Sequence, residues 1–118
     1  MGMDVIGVAP KTEAGEYFRN NIWWWHPLAA YVCDIAPDVT GHCEGWHWND
    51  GEGLDETHSL ELARKIRKDI DSGRASVYEQ AHRNRAERLP KEQQYPFSLE
   101  NVSEFAEFLE NCGGFAIW

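Results

Sequence analysis

The chain has 118 residues, 42% of them hydrophobic and 13% aromatic, which predicts one folded domain over residues 1–118 and excludes a disordered tail. Its formal net charge of −9 argues against binding to nucleic acid. No apolar run is long enough to span a bilayer and the first residues lack a signal-peptide pattern, so we expect a cytoplasmic protein without a membrane partner.

Two short segments precede the first predicted helix. Residues 3–8, with the sequence MDVIGV, form an apolar run typical of a strand. Residues 15–21 are polar apart from two aromatic anchors, Tyr17 and Phe18, and this composition is typical of a turn. The beginning of the chain therefore predicts a strand followed by a turn.

The first predicted helix is capped by Asn20 or Asn21 and extends to about Ala36. Because proline is tolerated only within the first turn of a helix, Pro27 predicts that the regular helix begins near His26. Apolar residues then recur at i, i+3, i+4 and i+7, the spacing of a stripe that faces a core. These residues are Leu28, Tyr31, Val32 and Ile35.

Two further helices are predicted beyond a long connection. The connection, residues 39–54, is rich in glycine and has no helical period, and loops of this length are often functional. Asp55 or Thr57 caps the second helix, which Gly73 ends. The third helix has a weaker apolar stripe and covers residues 75–89.

The C-terminal part of the chain predicts a fourth helix and a second strand. Ser98 caps the helix, and residues 115–118 are a short apolar run. The helix residues expected to face inward are Val102, Phe105, Ala106 and Leu109. Because the apolar runs at the two ends of the chain are expected to pair, the predicted fold class is α+β and mainly helical. It has about four helices and a small sheet that includes the N- and C-terminal segments.

Basic residues are concentrated in residues 64–91. This segment holds nine of the eleven Lys and Arg residues and four acids, a local balance of about +5, whereas the remainder carries about −14. The simplest interpretation is an intramolecular match between the basic segment and the acidic remainder. The alternatives are a basic helix that contacts phosphate, or an acidic face that meets a basic partner.

Four cysteine and histidine residues offer a candidate metal site, since Cys and His suit zinc and the spacing of Cys43 and His47 is workable. However, there is no C-x2-C knuckle, and the three cysteines of the chain are an odd number, typical of reduced thiols that pack in a core. We therefore predict no metal and no cofactor. The candidate ligands are Cys33, His42, Cys43 and His47.

Tryptophan is the most conspicuous feature of the composition, because half of the six indoles are consecutive. Successive helical residues point about 100° apart, so at least one of Trp23, Trp24 and Trp25 must point away from the main core. Such indoles indicate an interface or a pocket, and the alternative is that they only build the core. The candidate binding residues are Arg19, Asn20, Trp23, Trp24, Trp25, His26, Trp46, Trp48, Asn49 and Asp50.

Three blocks of the sequence carry a resemblance to a known family. They are GEYFRNNIWWW, NDGEGL and YPFSLENVSEFAEFLENCGGF. With these blocks the chain resembles a family of small phage and bacterial proteins that have no assigned activity. Many members carry a Cys-rich insertion before the last helix, where this chain has only LPKEQQYPF, so the resemblance implies no metal site here. It implies a phage or prophage setting, and its blocks contain Arg19, Asn20, Trp23, Trp24, Trp25, Asn49, Asp50 and Gly51.

These patterns favour a non-enzymatic protein that binds a host or phage protein, for example as an inhibitor, through a Trp-rich surface and an acidic loop. Arg19 and Asp50 would supply charged contacts. One alternative is a small-molecule-binding or hydrolytic pocket around Trp25, His47 and Asp50, and another is a metal-stabilised structural module. Catalysis is less favoured because the chain has no nucleophile or phosphate-binding motif.

Overall fold

A computed structural model describes residues 2–118, and in these residues it shows three strands and five α-helices. In chain order they are β1 (Gly2–Gly7), β2 (Tyr17–Asn21), α1 (Ile22–Ile35), α2 (Pro37–Thr40), α3 (Glu56–Asp71), α4 (Arg74–Ala86), α5 (Leu99–Asn111) and β3 (Phe115–Ile117). Single turns of 3₁₀-helix lie at Glu13–Gly15 and Lys91–Gln93. The predicted α+β, mainly helical fold class is confirmed.

The sheet has the strand order β2-β1-β3, and both pairings are antiparallel. Val5 of β1 lies opposite Phe18 on one side and Ile117 on the other, so the predicted pairing of the two chain ends is confirmed. The turn predicted over residues 15–21 is wrong from Tyr17 onward. This segment is a strand because Phe18 faces the core while Tyr17 and Arg19 face solvent, an alternation that its polar composition concealed.

Helix α1 begins one turn earlier than expected. The Asn21 side chain accepts hydrogen bonds from the N–H groups of Trp23 and Trp24, both at 3.1 Å, which confirms the cap and starts the helix at Ile22. The predicted start near His26 is wrong, and Pro27 lies inside the helix. The carbonyl that Pro27 leaves without its helical N–H partner is that of Trp23.

The core is formed by the inward faces of α1, α3 and α5 against one face of the sheet. Asp55 and Ser98 cap α3 and α5 as predicted, each accepting a hydrogen bond from a backbone N–H of the first turn. Inside this core the Tyr31 hydroxyl donates to the buried Asp69 carboxylate at 2.6 Å. Helix α4 ends at Ala86, three residues before the predicted end, and it contributes less to the core than α3 or α5.

Candidate functional site

The three consecutive tryptophans of α1 point in different directions. Trp23 is 51% exposed, Trp24 is half-buried and Trp25 is fully buried. The prediction that at least one indole points away from the core is therefore confirmed. Trp25 stacks on Trp46, with 6.2 Å between ring centroids, and donates its indole N–H to the Trp46 carbonyl. The expectation that Trp25 and Trp46 belong to a binding surface is wrong, because both indoles are buried in the core.

The long loop after α2 leaves its predicted binding residues at the surface. Trp48 is 63% exposed, and Asn49 and Asp50 are exposed beside it. Beyond them the loop lies along the outer edge of β3, where the Gly51 N–H donates to the Ile117 carbonyl at 2.7 Å. Trp48, Asn49 and Asp50 line neither of the two grooves described below.

A polar groove of about 350 Å³ brings together three of the predicted residues, Arg19, Asn20 and Trp24, at the start of α5. Asn20 and Asn101 exchange two amide hydrogen bonds there, at 2.8 and 3.0 Å. Arg19 forms an ion pair with Asp4 at 3.1 Å. The amide groups of Asn20 and Asn101 and the Nε–H of Arg19 therefore already have partners within the protein.

The residues considered as metal ligands do not form a cluster. They are Cys33, His42, Cys43 and His47. The His42 ring stacks on His58, with 3.9 Å between centroids, whereas His47 contacts His26. The two cysteines are free thiols, one buried and one half-buried. Across residues 2–118, no group of three or more His, Cys, Asp or Glu side chains is placed to hold a metal ion.

The buried Cys43 thiol makes the fold sensitive to alkaline pH. Burial raises the pKa of Cys43 to about 11, whereas an unfolded thiol titrates near its ordinary value of about 8.5. Between these values the unfolded chain binds fewer protons than the folded one, so the free energy of unfolding falls as the pH rises. We expect a loss of about 1–2 kcal/mol between about pH 8 and pH 10 from this thiol.

Urea unfolding under reducing conditions checks this expectation. Burial also raises the pKa values of Cys33 and Cys112, so the comparison uses the slope of stability against pH in wild type and in Cys43→Ala. The variant is expected to show the shallower slope. Equal slopes would show that the Cys43 thiol does not control the alkaline response.

Most cations of the basic segment, residues 64–91, are exposed at the surface. Within residues 2–118, only Arg67 and Arg74 of its nine cations form ion pairs, with Glu110 at 3.0 Å and Asp69 at 3.8 Å. The predicted intramolecular match between solvated faces is confirmed by close ion pairs at these two residues and stays a prediction for the other seven cations, which are all exposed. These are Arg64, Lys65, Lys68, Arg83, Arg85, Arg88 and Lys91.

An aromatic groove of about 830 Å³ lies at the end of this basic segment, where the chain leaves α4. Its lining residues are His82, Arg85, Ala86, Arg88, Leu89, Gln93 and Tyr95. The Tyr95 ring packs against exposed Trp23 of α1, with 5.2 Å between centroids. A hydrogen bond of 2.7 Å between His82 Nε2 and the Tyr95 carbonyl ties residues 93–95 to α4. We call these seven residues, with Trp23, the aromatic groove.

The aromatic groove combines exposed apolar surface with positive charge. Leu89 is 44% exposed and Tyr95 is 37% exposed, although both are large apolar residues. Arg85 and Arg88 line the groove and no Asp or Glu does. Sequence analysis counted Trp23 among the candidate binding residues and Arg85 and Arg88 in the basic segment, but it did not place Gln93 or Tyr95 at a site, because residues 90–97 have no periodicity. The YPF triplet in a block of the family resemblance was the one available signal.

The aromatic groove therefore presents apolar side chains and two guanidinium groups next to one another at the surface. No protein-family model matches this chain, and no curated protein or solved structure is significantly similar to it. The resemblance to phage and bacterial proteins therefore stays a prediction.

None of the helices in residues 2–118 has the length and apolar character required to cross a bilayer.

Proposed function

We propose that this chain is a non-enzymatic protein-binding module whose aromatic groove binds an acidic segment of a partner protein. The observation that carries the proposal is the contact between exposed Trp23 and Tyr95, near two arginines that form no ion pair with any carboxylate of residues 2–118. Trp, Tyr and Arg are the residue types most enriched among interface hot spots. Exposed clusters of this kind are uncommon on surfaces that bind nothing.

The charge of the groove selects the chemistry of the partner. A segment with Asp or Glu beside an aromatic or aliphatic side chain would pair with Arg85 and Arg88 and place its apolar group between Leu89 and Tyr95. A nucleic acid strand offers similar groups, but the rest of the chain carries about −14 and would repel a long polyanion. The charge distribution therefore favours a short acidic peptide segment.

The alternative of a pocket around Trp25, His47 and Asp50 receives no support from the geometry. Trp25 is fully buried with its N–H bonded, while His47 and Asp50 are exposed. None of the three lines the polar groove or the aromatic groove. The phage or prophage setting and the inhibition of a host factor rest on the family resemblance and on net charge, and they stay predictions.

A random peptide library displayed for binding to the intact protein tests the proposal. Peptides that bind are expected to be enriched in Asp or Glu next to an aromatic or leucine residue. Trp23→Ala and the double variant Arg85→Glu/Arg88→Glu should each lower the affinity for the selected peptides by roughly 10-fold or more. This is the loss typical of a hot-spot residue. Neither change should alter the melting temperature much, because all three side chains are at the surface.

Matched control variants make the result specific to the groove. Trp48→Ala removes an equally exposed indole and Arg64→Glu reverses an equally exposed cation, both outside the aromatic groove. These controls should bind the peptides as wild type does. If they weaken binding as much as the groove variants, or if the selected peptides are basic, the proposed function is wrong.

A further inference from the structure

The dipeptide Trp-His occurs twice in the chain, at residues 25–26 and 46–47. In both copies the tryptophan is buried, and these two indoles stack on each other in the core, with an angle of 22° between their planes. The following histidine of each copy lies further out, half-buried at His26 and exposed at His47. The stacking of the two tryptophans therefore places the two histidines next to each other at the surface.

The two imidazole rings face each other through the same nitrogen. Their Nδ1 atoms are 2.7 Å apart, and the ring centroids are separated by 4.8 Å. Each ring comes from a different element, His26 from α1 and His47 from the loop after α2. In the neutral rings one Nδ1–H can donate to the other Nδ1, and when the proton of the donor ring resides on its Nε2 instead, both Nδ1 atoms present a lone pair to the space between the rings.

The positions of these histidines are set by buried neighbours and not by the surface. Trp25 donates its indole N–H to the Trp46 carbonyl, which ties α1 directly to the residue before His47. Trp46 in turn donates its indole N–H to the Thr40 carbonyl at 3.0 Å. Because both backbones are held by buried hydrogen bonds, the pair of rings is preorganised.

We propose that His26 and His47 bind a divalent transition-metal ion, such as Zn²⁺, Ni²⁺ or Cu²⁺, through their Nδ1 atoms. Imidazole nitrogen is a preferred ligand of these ions. With metal–nitrogen distances of about 2.0–2.1 Å, two neighbouring ligand nitrogens lie roughly 2.9–3.4 Å apart. The observed separation of 2.7 Å therefore needs to open only slightly to admit an ion.

The protein supplies two ligands, since no third His, Cys, Asp or Glu in residues 2–118 joins them in a cluster, and water fills the remaining positions. This inference does not depend on the proposed peptide-binding function, because neither histidine lines the aromatic groove.

Calorimetric titration of metal-free protein with ZnCl₂ or NiCl₂ at neutral pH tests the site. We expect saturable binding of one ion per chain and a zinc-dependent shift of the His26 and His47 imidazole resonances in NMR spectra. His26→Ala and His47→Ala should each weaken binding by roughly 10-fold or more, since losing even an outer-shell partner of a metal ligand costs on this order. His26→Gln and His47→Gln repeat the test if an alanine variant fails to fold.

Other histidines of the chain provide the controls. His82→Ala removes a ring that bonds the Tyr95 carbonyl, and the double variant His42→Ala/His58→Ala removes the second stacked pair. Both controls should retain wild-type affinity for zinc. The proposal is overturned if millimolar zinc or nickel gives no saturable heat, if both His26 and His47 variants bind normally, or if binding is lost in a control.

Discussion

Replacing Trp25 with alanine is expected to lower the free energy of unfolding by about 3–5 kcal/mol, the usual cost of truncating a buried tryptophan. The indole is fully buried, stacks on Trp46 and meets the edge of Phe105 at 5.7 Å between centroids. Its loss leaves a cavity at the centre of the core and removes the hydrogen bond to the Trp46 carbonyl. Chemical denaturation followed by circular dichroism measures the change.

Trp23→Ala is the matched control, because it removes the same side chain two residues earlier on the same helix. Trp23 is 51% exposed and contacts Tyr95 at the surface, so its replacement should change stability by less than about 1 kcal/mol. Trp24 is half-buried and should give an intermediate loss. Similar losses for Trp23 and Trp25 would contradict the division of these indoles between the core and the aromatic groove.

Gly53→Ala is expected to destabilise the protein by about 2–3 kcal/mol, because no side chain fits at this position. A Cβ atom there would overlap the carbonyl oxygen of Phe115 and crowd the Cα atom of Ala116, both in the backbone of β3. Neither neighbour can move away as a flexible side chain could. The loop would have to lift from β3 and lose the hydrogen bond of 2.7 Å between the Ile117 N–H and the Glu52 carbonyl.

Gly73→Ala is the control for Gly53→Ala, because it changes a glycine with a positive φ without a steric clash of the new side chain. Gly73 has a φ of 84° between α3 and α4, and a Cβ atom there would meet nothing within 4 Å. Its replacement should cost only about 1–2 kcal/mol from backbone strain. Hydrogen exchange of the Ile117 amide should accelerate in Gly53→Ala and stay unchanged in Gly73→Ala. If the Ile117 amide exchanges as slowly in both variants as in wild type, the loop tolerates a side chain at residue 53.

Much of the fold could be predicted because its signals are local. Asn21, Asp55 and Ser98 each precede a helix and each caps it, since a side-chain oxygen needs only the next few backbone N–H groups as partners. The apolar spacing in α5 likewise identified its buried face. Pro27 misled the prediction for α1, because the Asn21 cap and the burial of Trp25 compensate for one missing hydrogen bond.

The candidate site could be predicted only in part. The angular argument required one of the three consecutive tryptophans to leave the core, but it could not say that Trp23 is the one, since that depends on where the core lies. Tyr95 was not predicted to meet Trp23, because 72 positions of chain separate them and residues 90–97 have no regular period. The polarity of the loop placed Trp48 and Asp50 at the surface without any tertiary information.

By itself, the sequence determined the fold class, the helix caps, the pairing of the chain ends and the separation of charge along the chain. Those properties depend on neighbouring residues or on composition. The tertiary structure alone decided which cations of the basic segment form ion pairs, that Trp25 and Trp46 stack in the core, and that His26 and His47 meet above them. Contacts between distant segments depend on how helices and loops pack, and no local pattern records that arrangement.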